Sequence, residues 1–334
     1  MAHAETEKLN QIVISAALSN AVCTAVELGI PDLIDSGSPQ SVESLAQSTG
    51  ADERSLFRFL RFMSNHGLFK MTENRHFDHT PLSQILRKDA VGSYRAAARM
   101  WFRIFPTFNG LHHSVMTGEP GFNDAFGQPL FDYIGTNPEM GPIFDATMTS
   151  IHGYETQAMI DAYDFGGIEV LADIGGGIGS LIGAVLQNYP DLKCILFDLG
   201  HVVGRAEEFF KSIDLGEHCS VIEGNFFESI PSGANAYLFR HIIHDWTDEQ
   251  CIQILKHCHK VIPEQGKLLI VECVVPVGNE SSISKDFDMV MMMVPGGLER
   301  TEQEYRDLFQ QSGFDLTTVT PTNSIVSVIE GRPV

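Results

Sequence analysis

The chain has 334 residues, 43% hydrophobic and 19% charged, a composition typical of a soluble globular protein long enough for two domains. Its formal net charge of −21 disfavours nucleic acid and anionic membrane surfaces as partners, because both carry negative charge. The six cysteines form no CxxC pair and no small disulfide framework, so we expect them to be reduced and buried.

The first residues lack the charged-then-apolar pattern of a signal peptide. No uninterrupted apolar run approaches the ~20 residues of a membrane span. Both observations predict a cytoplasmic protein.

The N-terminal region is predicted to form short helices followed by a two-stranded wing. The helices are Gln11–Leu28, Ser41–Ser48 and Glu53–His66, with Asp52 as N-cap of the third. Alternation within Gly67–His79 indicates the two strands. A winged helix-turn-helix is also a DNA-binding architecture, but its last helix carries only three arginines and the protein is acidic. We therefore favour dimerisation or a substrate lid as its role.

The middle region, from about Ala90 to Ala162, is predicted to be mainly helical and is rich in Phe, Met and His. At helical spacing such residues are more often core than pocket, yet Met and aromatic side chains also form adaptable walls for flat apolar ligands. The candidate substrate contacts of this region are Trp101, Phe102, Phe105, Met148 and His152.

From about Phe165 onward, strands alternate with helices, which predicts a doubly wound α/β sheet with its ligand at the carboxyl ends of the strands. The predicted strands are Val170–Asp173, Cys194–Asp198, Ser220–Gly224, Ala236–Arg240, Lys267–Val275, Leu316–Pro321 and Ser324–Glu330. The predicted helices are Ser180–Tyr189, Val202–Ile213, Asp248–Val261 and Glu302–Ser312.

A glycine-rich run joins the first of these strands to a helix, where a tight turn and close approach of a ligand both favour glycine. A nicotinamide or flavin site would continue Gly175-x-Gly177 with a third glycine, but Ser180 stands there. The spacing from Asp173 through Gly179 instead fits the loop that holds S-adenosylmethionine. Asp198, after the next strand, is placed to bind ribose hydroxyls.

Candidate catalytic groups follow two later strands. His241 and His244 come directly after Ala236–Arg240, and a neutral histidine there suits a general base better than a metal ligand, since further ligands are not evident. Glu272 lies within an apolar strand and needs a partner if it is buried. Glu299, which follows two glycines, is by itself expected to be a solvated loop residue.

Six motifs occur in a characteristic order and spacing: Asp-Ile-Gly-Gly-Gly-Ile-Gly (173–179), Phe-Asp-Leu (197–199), Glu-Gly-Asn-Phe-Phe (223–227), His-Ile-Ile-His-Asp-Trp-Thr-Asp-Glu (241–249), Val-Glu-Cys-Val-Val-Pro (271–276) and Gly-Gly-Leu-Glu-Arg-Thr-Glu (296–302). Together they resemble the S-adenosylmethionine-dependent O-methyltransferases of the plant caffeate and vertebrate hydroxyindole type, with their bacterial relatives. The resemblance covers nearly the whole chain. It implies a winged-helix dimerisation domain (1–95), a helical connector that contributes to the substrate pocket (96–160) and a Rossmann-like catalytic domain (161–334).

The resemblance also implies roles for individual residues. His244 matches the general base, and Glu272 and Glu299 match the acids that flank and orient it. The implied cofactor contacts are Asp173, Gly175, Gly177, Asp198, Leu199, Asn225, Phe226, Arg240 and Trp246. The family usually has Asp where this chain has Asn225, which puts the strength of cofactor binding in doubt, although Asn still donates and accepts hydrogen bonds.

The leading hypothesis is therefore a cytoplasmic homodimer of secondary metabolism that methylates a hydroxyl of a small aromatic metabolite without a metal. The candidate substrate contacts are Trp101, Phe105, Met148, His152, His241, Met289, Met292 and Met293. The alternatives are an NAD-dependent oxidoreductase, a lyase or other non-methylating enzyme that retains the cofactor, and a ligand-sensing winged-helix regulator.

Overall fold

The computed structural model describes residues 2–215 and 217–334, and these divide into two compact units. The first unit holds the described residues up to Pro106 together with Pro138–Ile151. The second holds Thr107–Asn137 and His152–Val334. The division into three domains at residues 95 and 160 stays a prediction.

The first unit is mainly helical and carries a small antiparallel sheet of order β1-β3-β2. Its elements are α1 (Ala2–Glu27), α2 (Ile30–Leu33), β1 (Gln40–Ser41), α3 (Val42–Thr49), α4 (Glu53–Asn65), β2 (Phe69–Met71), a 3-10 turn (Glu73–Arg75), β3 (His76–His79), α5 (Pro81–Gln84) and α6 (Arg95–Ile104). The three predicted helices and the wing are present, although α1 begins at Ala2 rather than at the predicted Gln11. Strand β1 was not predicted, because two residues are too short to show alternation.

Local signals explain helix α4. The Asp52 side chain accepts the Ser55 backbone N–H at 2.9 Å, which satisfies one of the unpaired donors of the first turn. Leu56, Leu60 and Met63 recur at helical spacing on one face, and all three are buried. The cap and the apolar stripe were both readable from the sequence.

Helix α1 carries an exposed apolar surface. Among the described residues it supplies one segment, His3–Glu27, that is long and apolar enough to cross a membrane, and 22% of its most apolar window is buried within the chain. The sequence prediction considered only uninterrupted runs and did not detect it. Core helices of soluble proteins meet the same criterion, so composition alone assigns it no membrane role. Its exposed apolar side chains are Leu9, Ile12, Val13 and Ile14.

The second unit contains the large sheet and the helices around it. It begins with a 3-10 segment that starts in the first unit (Phe105–Gly110), then α7 (Leu111–Thr117), α8 (Gly121–Phe126), α9 (Leu130–Thr136) and α10 (Met140–Ala162), of which residues from His152 onward belong to this unit. The alternating part follows with β4 (Val170–Ile174), α11 (Ser180–Asn188), β5 (Lys193–Asp198), α12 (Gly200–Ser212), β6 (Cys219–Glu223), β7 (Ala236–Arg240), a 3-10 turn (Ile243–Asp245), α13 (Asp248–His259), β8 (Lys267–Cys273), α14 (Ile283–Met293), α15 (Glu302–Ser312), β9 (Phe314–Pro321) and β10 (Val326–Pro333).

The seven strands form one sheet of order β6-β5-β4-β7-β8-β10-β9. The first five are parallel, and β10 pairs antiparallel with both β8 and β9. The central strand β4 buries Leu171 on one face and Ala172 on the other, so each face of the sheet has its own apolar core. This arrangement confirms the predicted doubly wound, Rossmann-like α/β fold. Helix α14 was not predicted.

The cysteine prediction is wrong for two of the six residues. Cys194 and Cys219 are paired directly across neighbouring strands β5 and β6, and their sulfurs form a disulfide. Their Cα atoms are 4.5 Å apart, within the range that a disulfide spans. A sequence separation of 25 residues does not disclose that register. The other four cysteines are free and buried, as expected.

Gly297 packs directly against the turn that carries His244. A Cβ added to this glycine would lie 1.9 Å from the His244 carbonyl oxygen. We expect Gly297→Ala to lower the free energy of unfolding by more than about 2 kcal/mol, since backbone must move to relieve the clash. Urea denaturation followed by circular dichroism measures the change.

The matched control is Gly204→Ala, within α12, where a Cβ meets no atom within 4 Å. That change is expected to stabilise the helix by roughly 0.5–1 kcal/mol. Equal stability of the two variants would show that the close approach at Gly297 is not tight.

Candidate active site

The centre of the site is His244, in the 3-10 turn that follows β7. Its Nδ1 lies 2.8 Å from Oε1 of Glu299, and both side chains are buried. A carboxylate only accepts hydrogen bonds, so Nδ1 carries a hydrogen, and Nε2 is the nitrogen at which the ring gains or loses its second proton. Oδ1 of Asp245 is 3.7 Å from that second nitrogen. The expectation of a solvated Glu299 is wrong, because the chain returns from α14 and places it beside the imidazole.

Glu272, in β8, holds the backbone of this turn. One oxygen, Oε1, accepts the backbone N–H groups of Ile242, Ile243 and His244 at 3.1, 2.7 and 3.1 Å. The other, Oε2, accepts the Tyr305 hydroxyl at 2.7 Å. The residue is fully buried, so these four donors replace the water that its carboxylate would otherwise bind. The partner that the sequence required for Glu272 is thus mainly backbone.

Arg300 fixes the far side of the same turn and was not singled out from the sequence. It is fully buried and donates to the carbonyl oxygens of Ile243 and Trp246 at 3.1 and 3.0 Å. Its charge is paired with Asp248 at 2.8 Å. The His244 turn is therefore held by a buried carboxylate on its N–H groups and by a buried guanidinium on its carbonyl groups.

Charge sets the protonation state of His244. Burial by itself lowers the pKa of this imidazole, but the Asp245 carboxylate, the Glu299 hydrogen bond and the Glu272 charge outweigh it and raise the pKa to about 10. Burial raises the pKa of Asp245 to about 7 against the opposing effect of His244. The imidazolium form of His244 is thus strongly stabilised.

The glycine-rich loop lies at the carboxyl end of β4, next to the ends of β5 and β7. Gly175 and Gly179 have φ of 71° and 85°, a region that side-chain-bearing residues rarely adopt. A Cβ at Gly175 would also lie 2.4 Å from Ile242 Cδ1. Asp198 accepts the N–H groups of Gly177 and Leu199 at 2.8 and 2.7 Å, which joins the ends of β4 and β5.

Asp173, just before this loop, is buried, and its Oδ2 has no hydrogen-bond partner among the described residues. Burial raises the pKa of its carboxyl to about 7, Arg240 opposes the rise, and Asp198 adds to it. An unsatisfied buried carboxylate oxygen is costly and suits a cationic ligand group.

Aromatic rings surround Trp246. Phe226 and Phe227 meet it edge to face at centroid distances of 6.0 and 4.7 Å, and Phe131 stacks on it at 5.4 Å. Asn225, the departure noted in the sequence, uses its side-chain oxygen to accept the Phe227 N–H at 3.0 Å. The structure thus brings Asn225, Phe226 and Trp246 to one wall.

The predicted substrate contacts fall into two groups. His152 and His241 stack on each other in the second unit, and both hydrogen-bond to Glu155. The sequence analysis missed Glu155, although its spacing of three residues from His152 on a helix indicates a shared face. Met289, Met292 and Met293 lie on α14, also in the second unit. Trp101, Phe105 and Met148 belong to the first unit, and their contact with substrate stays a prediction.

Two family models match the chain, an O-methyltransferase domain over residues 108–315 and an O-methyltransferase dimerisation domain over residues 11–89. The chain is 36% identical to the phenazine O-methyltransferase of Lysobacter antibioticus, over 98% of this chain and 96% of that protein. It is similar to the solved mitomycin 7-O-methyltransferase, with TM-score 0.94, 31% identity and coverage of 99% and 98%.

A third similar structure was solved with ligands bound. The O-methyltransferase of neocarzinostatin biosynthesis was solved in complex with S-adenosylmethionine and 2-hydroxy-5-methyl naphthoic acid. It is 28% identical to this chain, with TM-score 0.85 and coverage of 95% and 96%.

The contribution of the His244–Glu299 pair to stability depends on pH. The folded pKa of His244 is raised above its ordinary value of 6.5. Protonation of this imidazole therefore contributes its full stabilisation of the fold below pH 6.5, and that stabilisation is lost as the pH rises through about 10. We expect Glu299→Gln to lower the free energy of unfolding by roughly 2 kcal/mol at neutral pH, and the difference from the unmodified protein to shrink towards pH 10.

Urea denaturation across that pH range measures the difference. The control is Glu228→Gln, at an exposed glutamate, for which no such pH-dependent difference is expected. A difference for Glu299→Gln that stayed constant from neutral pH to pH 10 would contradict the assignment of the raised pKa to this pair.

Proposed function

Because this chain belongs to the S-adenosylmethionine-dependent small-molecule O-methyltransferases, we propose that it methylates a hydroxyl of a small aromatic, phenolic metabolite, with His244 as general base and without a metal. The observation that carries this proposal is the buried hydrogen bond between His244 Nδ1 and Glu299. It holds the ring in the tautomer whose Nε2 accepts a proton.

In the proposed mechanism, S-adenosylmethionine, held by the residues named below, would supply an electrophilic methyl group on a positively charged sulfur for attack by the substrate oxygen. Nε2 of His244 takes the hydroxyl proton during the attack, and Glu299 stabilises the imidazolium that results. The raised pKa of His244 favours this proton transfer. The His244 ring must be neutral before it takes this proton, and a positively charged cofactor close by would lower its pKa towards that state.

The chain's own residues fit that cofactor. The unpaired Oδ2 of Asp173 suits the ammonium of the amino-acid tail, and Asp198 suits the ribose hydroxyls. An added Cβ at Gly177 would meet no atom within 4 Å, which leaves room for the ligand beside the backbone, and Gly175 has the positive φ that the turn requires. Leu199 flanks the ribose acid, and Arg240 lies within electrostatic range of Asp173. We assign the adenine wall to Asn225, Phe226 and Trp246.

The aromatic character of the substrate is supported by a relative and by this chain's own side chains. The neocarzinostatin enzyme was solved with a hydroxylated naphthoic acid, a flat aromatic compound with one phenolic hydroxyl and one carboxyl group. In this chain, Met289, Met292 and Met293 supply flexible apolar side chains on α14, which suit such a compound. The comparisons do not favour an oxidoreductase, a lyase or a ligand-sensing regulator.

Removal of the imidazole tests the mechanism. We expect His244→Ala to reduce the rate of methyl transfer by at least a hundredfold, the usual contribution of a general base, while the affinity for S-adenosylhomocysteine changes little. The rate is measured by mass spectrometry over a panel of phenolic compounds with S-adenosylmethionine, and the affinity by calorimetry. His218→Ala, at an exposed histidine, is the control. Near-full turnover by His244→Ala would refute the general base.

We further propose a homodimer formed through the N-terminal domain, where the dimerisation model matches. Helix α1 supplies an apolar surface that a second copy would cover, with Ile12 and Val13 58% and 68% exposed. The proposed location is the cytoplasm, in line with the sequence prediction.

The oligomeric state provides the test. We expect sedimentation analysis to give twice the mass of the chain, and Ile12→Glu combined with Val13→Glu to shift the protein towards monomer, since buried charges without partners oppose association. Glu5→Gln, on the same helix, is expected to leave the dimer intact. A monomeric unmodified protein at micromolar concentration would contradict the proposal.

A further inference from the structure

A buried hydrogen-bonded network lies beside His244 and takes no part in the mechanism above. Glu155, in α10, is 1% exposed. Its Oε2 lies 2.9 Å from Nδ1 of His152 and 2.8 Å from Nε2 of His241. The two imidazoles stack, with ring centroids 3.9 Å apart and planes inclined by 27°. One carboxylate oxygen therefore binds two stacked histidines.

Two histidines and a carboxylate are also a common set of metal ligands, and these ligand atoms lie within 4.8 Å of one another. A metal ion must lie close to the plane of each imidazole, about 2.0–2.1 Å from the nitrogen. The two ring planes are inclined by only 27°, and the ring centroids are 3.9 Å apart. The line where these planes intersect therefore lies much farther from the ring nitrogens than a metal–nitrogen bond length. The rings cannot both direct a lone pair at one ion, whereas hydrogen bonds tolerate such misalignment.

The carboxylate determines the tautomer of both rings. Because Glu155 accepts from Nε2 of His241, this nitrogen carries the hydrogen. Burial lowers the pKa of His241 and of His152 against the opposing effect of Glu155, which favours the neutral form of both rings. A neutral ring with its hydrogen on Nε2 has a bare lone pair on Nδ1. In His241, that atom is buried and has no hydrogen-bond partner among the described residues.

The unpaired acceptor lies next to the proposed base. The ring of His241 is 5.0 Å from the ring of His244, centroid to centroid. Its backbone has φ of 53°, an uncommon conformation for any residue but glycine, and the neighbouring turn is fixed by Glu272. A buried acceptor without a partner costs about 1–3 kcal/mol. A donor on the substrate would remove that cost.

Resting on the proposed function, we propose that Nδ1 of His241 accepts a hydrogen bond from a second donor on the aromatic substrate, a hydroxyl or N–H next to the hydroxyl that is methylated. Glu155 is the positioning residue that keeps this nitrogen an acceptor. The substrate class is thereby narrowed to aromatic compounds with two neighbouring polar groups, such as vicinal diols or amino-phenols.

Two probes that differ by one donor test the proposal: 2,3-dihydroxynaphthalene and 2-naphthol. Each is titrated into protein saturated with S-adenosylhomocysteine, and binding is measured by calorimetry. We expect the diol to bind roughly tenfold more tightly, the equivalent of one hydrogen bond. His241→Phe retains a ring and removes both nitrogens, so the ratio of affinities should fall to about one.

Two further variants separate this role from a structural one. His241→Asn should retain part of the preference, because its amide oxygen accepts a hydrogen bond and Asn tolerates positive φ. Glu155→Gln presents both a donor and an acceptor to the rings, so it no longer fixes the hydrogen of His241 on Nε2. The preference for the diol over 2-naphthol should therefore fall. Nitrogen NMR of His241 reports that tautomer directly, with Nδ1 unprotonated in the unmodified protein. His218→Phe is the matched control.

A ratio near one in the unmodified protein, a preference that survives in His241→Phe, a protonated Nδ1 or failure of both probes to bind would each overturn this inference. None of these results bears on the loss of methyl transfer in His244→Ala. That loss tests the proposed function separately, so the two failures are distinguishable.

Discussion

The site depends on a single buried carboxylate. Glu272 projects from β8 and accepts three consecutive backbone N–H groups of the turn that carries His244. A turn between a strand and a helix leaves such donors without partners, and burial makes that costly. By satisfying them, Glu272 allows the turn to sit inside the protein. The imidazole is then held at 2.8 Å from Glu299, where its proton chemistry is defined.

The concentration of acidic groups explains why the pKa of His244 is raised and also why the site needs strong support. Asp245, Glu272 and Glu299 all raise the pKa of one imidazole. Buried carboxylates repel one another, so each needs hydrogen-bond donors or a cation. Backbone N–H groups and the Tyr305 hydroxyl satisfy Glu272. His244 pairs with Oε1 of Glu299, whose Oε2 has no hydrogen-bond partner among the described residues, and the buried guanidinium of Arg300 holds the carbonyl side of the turn. The support of the turn and the proposed general base therefore share one network.

Much of the fold was predictable because its signals are local. Alternation marked the strands of the wing, short apolar runs marked those of the large sheet, and the cap Asp52 marked the start of α4, since each signal acts within a few residues. Helix α14 was missed. The strand β1 was also missed, because two residues are too few to show a strand pattern. The disulfide was missed because it depends on the register between two strands. The glycine-rich loop was predictable from the spacing of its glycines, and the structure gives Gly175 a positive φ and close neighbours.

The sequence by itself determined the fold class and the family, since motifs and periodicity are properties of order along the chain. The family resemblance also singled out His244, Glu272 and Glu299 as candidates. Only the tertiary structure decided which atoms meet. Glu299 is far from His244 in sequence and would pass for a solvated loop residue, yet it is buried against the ring. Glu155 joins two histidines that lie 89 residues apart. Such contacts depend on strand order and helix placement, which the long-range packing of the whole sheet sets.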